Sequence, residues 1–552
     1  MESVCRAIIK EIIKKKASSI DKVSAIRREL CRKYSPKEFP SFIRILSHAR
    51  GNELNKLSFL VTKPSRTISG VAPVAIMTKP MECPHGKCIM CPGGISSHFG
   101  TVPQSYTGHE PASMRARRNL YDPYLQTMNR LEQYTLLNQC ADKVELIIMG
   151  GTFPSFPLPY QNSFVKYSLK AMNDFSKMFF KGSLDIKSFK EFFELPGDVN
   201  DELRTNNLKE KMSKIKGNCS LIEEQRKNEK SRIRCVAMAI ETRPDFSKQQ
   251  HISQMLRLGC TRVELGVQST CNSVLKRIAR GHSTEDTIEA TQLLKDSFLK
   301  VGYHMMPGLP SSTKEKDIKM FKELFSNESY RPDALKIYPC MVIEGTKLYE
   351  LYKKKKFNPI TTQEAQQIIT EAKKYIPEYC RIMRVQRDIP TKVTAAGVSV
   401  TNLRQMVGKC RCIRCREPRG KEVSLEDSRL RSLHYKSSGG DEVFLSIESK
   451  DVLLGFCRLR IPYKPFRKEI TDRSVGIREL HVYSPSIALK TKSSSSIQHQ
   501  GLGKRLLMEA EKTALEEFDC KKMLVISGIG AKEYYRKLGY KDDGAYVSKS
   551  LT

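Results

Sequence analysis

The stretch MECPHGKCIMCPGG, residues 81–94, places Cys83, Cys88 and Cys91 in one short loop with the spacing C-x4-C-x2-C. Three thiolates at this spacing can bind three irons of a [4Fe–4S] cubane, and the fourth iron then has no protein ligand. Such an iron can bind the amino and carboxylate groups of S-adenosylmethionine, whose sulfonium an electron from the cluster can cleave. A zinc knuckle with His85 as fourth ligand is the alternative that these residues leave open.

Outward from this loop, across residues 67–400, short apolar runs alternate with helical stretches. This pattern is typical of a parallel βα-barrel or a doubly wound sheet. The runs are VELIIMGG (144–151), VAMAIETRP (236–244), RVELGVQS (262–269), VGYHMMPGLP (301–310) and ALKIYP (334–339). Residues 183–232 are polar and rich in Lys and Glu, and we expect an insertion or a flexible excursion there.

A turn of small residues, Gly150-Gly151-Thr152, follows the first of these runs. In a barrel the active site lies at the carboxyl ends of the strands. Backbone groups of this turn can therefore contact the methionyl amine of S-adenosylmethionine. Because the cysteine loop precedes the first strand–helix units, the combination favours an iron–sulfur cluster over zinc.

The charge of the chain points to a polyanionic partner. The 552 residues include 95 Lys and Arg against 60 Asp and Glu, a net charge of +35, which attracts nucleic acid. Residues 1–66 are basic, and their apolar spacing predicts short amphipathic helices with basic faces. The apolar positions are Ile8, Ile9, Ile12, Ile13, Val23, Ile26 and Leu30. A lysine-rich composition that serves solubility, or a solvated helical cap, is the alternative interpretation.

The chain shows neither an apolar run of membrane-spanning length nor a signal peptide, so we expect a cytoplasmic protein without a membrane partner. Its 17 cysteines, several of them closely spaced, favour metal ligation in a reducing compartment over a disulfide framework.

Residues 425–552 predict a second α/β domain. Gln498 and Gly501 to Gly503 fit Q-x-x-G-x-G at the start of a long amphipathic helix, with Lys504 next to it. Backbone amides at such a helix start bind pyrophosphate, and in acetyltransferases of the GNAT class this loop binds coenzyme A. An ordinary helix start, with glycines for packing, is the alternative.

Taken together, these motifs resemble the catalytic subunit family of Elongator, which modifies the wobble uridine of tRNA. The resemblance covers nearly the whole length. It is carried by RTISGVAPVAIMTKP, CPHGKCIMCPGG, QSYTGHEPASMRARRNLYDPY, DKVELIIMGGTFPS, AIETRPD, RVELGVQS, MPGLP, LKIYPCMVIEGT, RVQRDIP, IRELHVY, IQHQGLG and EYYRKLGY.

The resemblance implies a radical S-adenosylmethionine partial βα-barrel fused to a GNAT-like domain, with a basic helical N-terminal module. It implies a tRNA uridine(34) acetyltransferase, or carboxymethyluridine synthase, in which acetyl-CoA supplies a two-carbon unit to carbon 5 of the uridine. The domains expected are a tRNA-binding module (1–66), the barrel (67–400), a zinc-binding linker (401–424) and the acetyl-CoA-binding domain (425–552).

Matching motifs imply the site residues. Cys83, Cys88 and Cys91 correspond to the cluster ligands, and Arg384 and Arg387 to candidates for tRNA contact. The residues implied for catalysis or for acetyl-CoA binding are Lys143, Glu479, Leu480, His481, Val482, Gln498, Gly501, Leu502, Gly503, Lys504 and Tyr535.

The chain departs from eukaryotic members of the family in its shorter first cluster spacing, which resembles archaeal and bacterial members. It resembles them also at Cys410, Cys412 and Cys415, which fit three ligands of a structural zinc, with His434 as a candidate fourth. A loop of free thiols is the alternative for this group. The departure leaves open whether the chain acts alone, as a homodimer or with accessory Elongator-type subunits. A histone-type lysine acetyltransferase and a non-catalytic tRNA-binding scaffold are the competing functions.

Overall fold

The computed structural model describes residues 1–50, 53–57, 59–60, 70–139, 141–197, 201–419, 421, 423, 426–483 and 501–551. Tertiary contacts divide the chain into two units. The smaller unit contains Met1–Val74, Asp122–Glu145 and Phe164–Cys235, and the larger unit contains Ala75–Tyr121, Leu146–Ser163 and Val236–Thr552.

The N-terminal module consists of helices α1 (Glu2–Lys14), α2 (Ile20–Tyr34), α3 (Phe42–Ser47) and α4 (Glu53–Lys56). Ile8, Ile9 and Ile12 on α1 and Val23 and Ile26 on α2 are buried in one apolar core. Their spacing puts them on one face of each helix. The predicted short amphipathic helices are therefore confirmed.

The barrel region carries most of the remaining elements. In chain order they are β1 (Ala72–Met77), β2 (Gly94–Ser97), β3 (Gly100–Val102), α5 (Pro111–Arg118), α6 (Pro123–Leu136), β4 (Lys143–Met149), α7 (Leu158–Phe179), β5 (Phe180–Lys181), β6 (Ser183–Leu184), α8 (Ile186–Phe192), α9 (Glu202–Lys216), α10 (Leu221–Lys230), β7 (Arg234–Thr242), α11 (Gln249–Leu258), β8 (Arg262–Gln268), α12 (Asn272–Arg277), α13 (Thr284–Asp296), β9 (Lys300–Met305), α14 (Lys314–Ser326), β10 (Ala334–Ile337), β11 (Val342–Ile343), α15 (Lys347–Lys353), α16 (Thr362–Ala372), β12 (Arg381–Val385), β13 (Thr394–Ala396), α17 (Leu403–Met406) and α18 (Ile413–Arg416).

The central sheet has the order β1-β4-β7-β8-β9-β10-β12, so each strand pairs with the next one of the same sheet along the chain. The pairs from β7 to β12 are parallel. Parallel neighbours need a crossover, and helices supply it here. The fold is the radical S-adenosylmethionine half-barrel of parallel strands that the sequence predicts.

The polar stretch 183–232 contains α8, α9 and α10 in its described residues, where the sequence favoured an insertion or a flexible excursion. Phe189, Phe193, Leu208 and Met212 are buried. Arg204 is also buried and donates to Glu132 Oε1 on α6 at 2.7 Å. The few apolar residues and one buried ion pair anchor this stretch within the smaller unit, although Lys and Glu dominate its composition.

The C-terminal domain consists of β14 (Ser428–Ser437), β15 (Gly440–Ser449), β16 (Val452–Ile461), β17 (Ser474–Val482), α19 (Leu502–Glu516), β18 (Lys522–Val525), α20 (Lys532–Arg536), β19 (Lys541–Asp543) and β20 (Tyr546–Ser550). Its sheet has the order β14-β15-β16-β17-β18-β20-β19. Leu506, Leu507, Ala510 and Ala514 of α19 are buried in the core that covers this sheet. This is the C-terminal GNAT fold that the sequence predicts.

Among the described residues, no helix combines the length and the apolar character that a membrane span requires.

Candidate active site

Hydrogen bonds to the sulfurs of Cys88 and Cys91 hold the cysteine loop in place. The Cys91 thiol donates to Gln104 Oε1 at 3.0 Å, and the backbone N–H of Ser105 donates to Cys91 Sγ at 3.2 Å. Arg280 donates to Cys88 Sγ at 3.7 Å. Hydrogen-bond donors around the sulfurs tune the potential of an iron–sulfur cluster. The surroundings of these cysteines therefore suit a cluster ligand set.

The Gly150-Gly151-Thr152 turn lies beside this loop, as the barrel geometry predicted. Thr152 is buried, and its hydroxyl lies 3.8 Å from Cys83 Sγ. Gly150 has φ +112°, and a Cβ there would lie 2.4 Å from Thr78 Oγ1. Only glycine fits this close approach. The turn thus lies next to the cysteine loop, and contact of its backbone with S-adenosylmethionine stays a prediction.

His85, the candidate fourth ligand of the zinc alternative, lies close to this loop, with its Nε2 3.2 Å from Cys88 Sγ. Within the described residues, the compact group of candidate metal ligands is a different one, Cys410, Cys412 and Cys415. The ligand role of Cys83, Cys88 and Cys91 stays a prediction; a cubane would place each of their thiolates on a separate iron.

Inside the half-barrel, charged side chains from strands β7 to β10 meet. Lys336 on β10 donates to Glu241 Oε1 on β7 at 2.9 Å and lies 3.6 Å from Glu264 Oε2 on β8. His304 Nε2 on β9 is 3.2 Å from Glu264 Oε2. Although burial opposes it, Lys336 and Arg262 hold the pKa of Glu264 well below its usual range. The sequence analysis did not predict that Glu241, Glu264 and Lys336 would meet. The observation that could have indicated it is the charged residue within each otherwise apolar strand, as in VELGVQ and ALKIYP.

Tyr106 connects this interior to the cysteine loop. Its hydroxyl donates to Glu241 Oε2 at 3.0 Å, and the preceding residue, Ser105, contacts Cys91. Arg387 donates to the Ser105 carbonyl and lies over the Tyr106 ring, 5.7 Å from its centroid. Arg384 is exposed and pairs with Asp388. Arg387 is thus brought to the cluster side of the barrel, and tRNA contact by both arginines stays a prediction.

Within the described residues, the predicted coenzyme strand, β17, has a stretch of edge that extends past the neighbouring strand. Residues Ser474 to Ile477 pair in parallel with Lys522 to Val525 of β18, which ends there. β17 continues to Val482, still paired on its other side with β16. The backbone of residues 479–482 therefore lies beyond the end of β18. An extended pantetheine arm can hydrogen-bond to such an edge as an added strand does.

The predicted pyrophosphate loop begins α19. Gly501 adopts φ +78° at the N-cap, and α19 starts at Leu502. Gly503 lies close to β17 and α20, because a Cβ there would be 3.7 Å from Val482 and 3.0 Å from the Tyr534 hydroxyl. Lys504 is exposed. The helix start and this edge of β17 are thus neighbours. Gln498 lies outside the described residues.

Three of the implied coenzyme residues have distinct surroundings. Glu479 accepts from Arg458 at 2.9 Å and from Lys300 at 3.3 Å, so its side chain is already paired. His481 is half-buried, and burial lowers its pKa to about 4, which keeps the imidazole neutral at pH 7. Tyr535 is buried on α20, and burial raises its pKa well above the ordinary value. Their roles toward coenzyme stay predictions.

Lys143 is the first residue of β4, at the opposite end of that strand from Gly150, and it belongs to the smaller unit. Its role toward acetyl-CoA stays a prediction.

A buried ionic network joins the barrel to the C-terminal domain inside the larger unit. Arg460 donates to Asp296 at 2.9 Å and to Glu442 at 3.0 Å. Arg478 donates to Asp333 at 3.0 Å and to Glu442 at 2.9 Å. Breaking one partner of such a buried pair costs about 3–5 kcal/mol. The network fixes β15, β16 and β17 against the carboxyl-terminal half of the barrel.

The second cysteine group is compact. The sulfurs of Cys410, Cys412 and Cys415 lie within 4.8 Å of one another, and Cys410 and Cys415 are 3.7 Å apart. Tetrahedral zinc with Zn–S bonds of about 2.3 Å places its sulfurs about 3.8 Å apart. The donor set fits zinc. His434 lies on β14 with its Nε2 2.8 Å from Ser432 and is outside this compact group.

Four protein-family models match the chain in sequence order. They are the ELP3 N-terminal domain (residues 1–68), the Radical SAM superfamily (81–324), the Radical_SAM C-terminal domain (332–410) and the Acetyltransferase (GNAT) family (411–540).

Curated relatives match over nearly their full length. The chain is 48% identical to the tRNA uridine(34) acetyltransferase of Methanocaldococcus infernus, covering 100% of both chains. It is 37% identical to human Elongator complex protein 3, covering 99% of this chain and 96% of that one. The solved structure of M. infernus Elp3 with an N-terminal deletion (1-46) has a TM-score of 0.71 and 44% identity, covering 88% of this chain and 100% of that one.

Proposed function

We propose that this chain, which belongs to the Elongator Elp3 family, is a tRNA uridine(34) acetyltransferase that modifies carbon 5 of the wobble uridine. One observation carries the proposal. The larger unit contains both the cysteine loop at the barrel edge and the coenzyme strand β17, whose edge extends past β18. A protein lysine acetyltransferase would need only the second of these.

In this proposal, a [4Fe–4S] cluster with bound S-adenosylmethionine supplies a carbon-centred radical, and acetyl-CoA supplies the two-carbon unit. Cys83, Cys88 and Cys91 bind the cluster. The Gly150 turn contacts the amino-acid part of S-adenosylmethionine, and β17 with the start of α19 binds coenzyme A.

The proposal also includes finer points. Zinc binds at Cys410, Cys412 and Cys415. The protein is cytoplasmic, and it acts alone or as a homodimer in place of an assembly with accessory Elongator-type subunits. Basic surface on residues 1–66, with Arg384 and Arg387, contacts tRNA.

The test is mass spectrometry of the wobble uridine after anaerobic incubation of the iron-loaded protein with tRNA, acetyl-CoA, S-adenosylmethionine and a reductant. We expect a carboxymethyl-type product at carbon 5. An unmodified uridine in the presence of a fully loaded cluster would refute the proposal. Tight tRNA binding without release of deoxyadenosine would favour a scaffold. Acetylation of a histone-type peptide that survives loss of the cluster cysteines would favour a lysine acetyltransferase.

A further inference from the structure

A cleft of about 410 Å³ opens in the segment that follows the cysteine loop in the chain, and its lining includes neither the cluster ligands nor the coenzyme residues. Its volume is within the range of small-molecule sites. Phe99, from the β2–β3 hairpin, lines it together with a turn and one helix face. The other lining residues are Thr107, Gly108, His109, Met114, Arg117 and Arg118.

The wall of this cleft is continuous with the cluster site. Ser105 donates its backbone N–H to Cys91 Sγ at 3.2 Å, and Thr107 to His109 line the cleft a few residues later. Four residues span at most about 14 Å of chain. A group bound against His109 therefore lies about that far, or less, from the segment that touches the cluster ligand.

The turn that forms the wall is pre-organised. The buried carboxylate of Glu110 accepts from the backbone N–H of Thr107 at 2.9 Å and from that of Gly108 at 3.1 Å. The Thr107 hydroxyl also donates to Glu110 at 3.1 Å. Three bonds to one carboxylate hold the backbone in place, and a wall fixed in this way loses little freedom when a ligand binds.

The lining combines aromatic and cationic side chains. The rings of Phe99 and His109 meet edge to face with their centroids 5.9 Å apart. Arg117, which is exposed, and Arg118 lie in the last turn of α5. An unstacked base stacks on aromatic side chains, and arginine binds the adjoining phosphate. An acidic peptide would use the arginines but would leave the rings unused.

We propose that this cleft, Phe99–Arg118, is an RNA subsite that binds one unstacked nucleotide of the tRNA anticodon loop next to the uridine being modified. The inference rests on the proposed function. The ring of Phe99 stacks on the base, the nearly perpendicular ring of His109 contacts the edge of the base, and Arg117 and Arg118 bind the phosphates of the nucleotide. The subsite would fix the register of the anticodon loop relative to the cluster, so that only one position reaches the reactive site.

The test measures the affinity of the full chain for a labelled anticodon stem-loop RNA. We expect Phe99→Ala to weaken binding by about 5- to 150-fold, the effect of losing one base–aromatic stack. Phe99→Trp, which keeps the stack, should bind within about twofold of the unchanged protein. Arg117→Ala should lower the salt slope of log Kd by about 1. Tyr352→Ala, an exposed aromatic on α15, is the matched control and should bind normally.

A crosslinking arm locates the contact directly. RNA with 4-thiouridine in the anticodon loop should crosslink to the peptide containing Phe99 or His109. Unchanged affinity of Phe99→Ala together with crosslinks elsewhere would overturn the subsite, as would competition by polyglutamate equal to competition by RNA. If Phe99→Ala fails to fold, the salt dependence of Arg117→Ala and the position of the crosslinks decide whether the cleft binds RNA. RNA binding is measured without turnover, so the two proposals are tested separately. The subsite can be confirmed when uridine modification is not observed, and uridine modification can be confirmed when the subsite is refuted.

Discussion

The two cysteine groups of this chain have similar spacings but different geometry. Cys410, Cys412 and Cys415 bring their sulfurs within 4.8 Å of one another, whereas the cluster loop belongs to no such group within the part of the chain that the structure describes. The cluster loop instead has Gln104, Ser105 and Arg280 around its sulfurs. Zinc draws its ligands together around one ion, and a cubane keeps its thiolates apart. The comparison teaches that two cysteine groups of similar spacing can have different surroundings, and this difference supports the proposal that they bind different metals.

The largest expected effect is at the cluster loop. Cys88→Ser should remove iron and lower uridine modification by at least about 100-fold, because a ligand of the cluster is lost. Acetyl-CoA binding should survive, since β17 and α19 are separate elements. Iron analysis, product mass spectrometry and calorimetry with acetyl-CoA measure the three quantities. Cys271→Ser, a cysteine outside both groups, is the control. If Cys88→Ser still modified uridine, the first cysteine group would not be the cluster site, and the proposed difference between the two groups would be wrong.

The next effect is on stability. Cys412→Ser should release zinc, leave iron content unchanged and lower the free energy of unfolding by about 3 kcal/mol or more, because metal-binding energy contributes to folding. Cys412 is fully buried, so the change acts within the packed linker. Metal analysis and denaturant unfolding measure these quantities. Loss of iron in place of zinc would show that the two groups had been assigned the wrong way round.

The smallest expected effect concerns the hydrogen bond between Cys91 and Gln104, on the cluster-loop side of the comparison. Gln104→Leu removes the side chain that contacts Cys91, and it should shift the cluster potential and slow turnover by up to about 10-fold at unchanged iron content. Redox titration monitored by electron paramagnetic resonance measures the shift. Gln405→Leu, an exposed glutamine on α17 near the second cysteine group, is the matched control. Equal potentials in both variants would mean that Gln104 serves packing alone.

Local patterns predicted much of this molecule. The strand runs, the basic amphipathic helices and the glycine-rich start of α19 each depend on residues close together in sequence, and each is present in the structure. Residues 183–232 were harder to predict because their polar composition conceals a few buried anchors such as Phe193 and Arg204. Their helices are held by contacts with α6 and α7, which no short window of sequence contains.

Within the candidate site, the sequence located the cysteines and the Gly150 turn but missed the charges that meet inside the barrel. Glu241 and Lys336 are 95 residues apart in the chain, and their ion pair exists only because β7 and β10 belong to one sheet. His434 was considered as a zinc ligand by residue type, yet β14 places it beside Ser432.

By itself the sequence determined the order of the motifs along the chain and predicted the cluster loop and the coenzyme loop, because each is a short pattern whose chemistry depends on local spacing. Only the tertiary structure decided that Asp296 and Arg460, 164 residues apart, bind in a buried network that fixes the C-terminal sheet on the barrel. It alone also showed a cleft lined by Phe99 and His109, a few residues along the chain from Ser105, whose backbone N–H contacts Cys91. A charge buried between distant elements is stable only with its partner present, and which partner that is depends on how the strands are arranged in space.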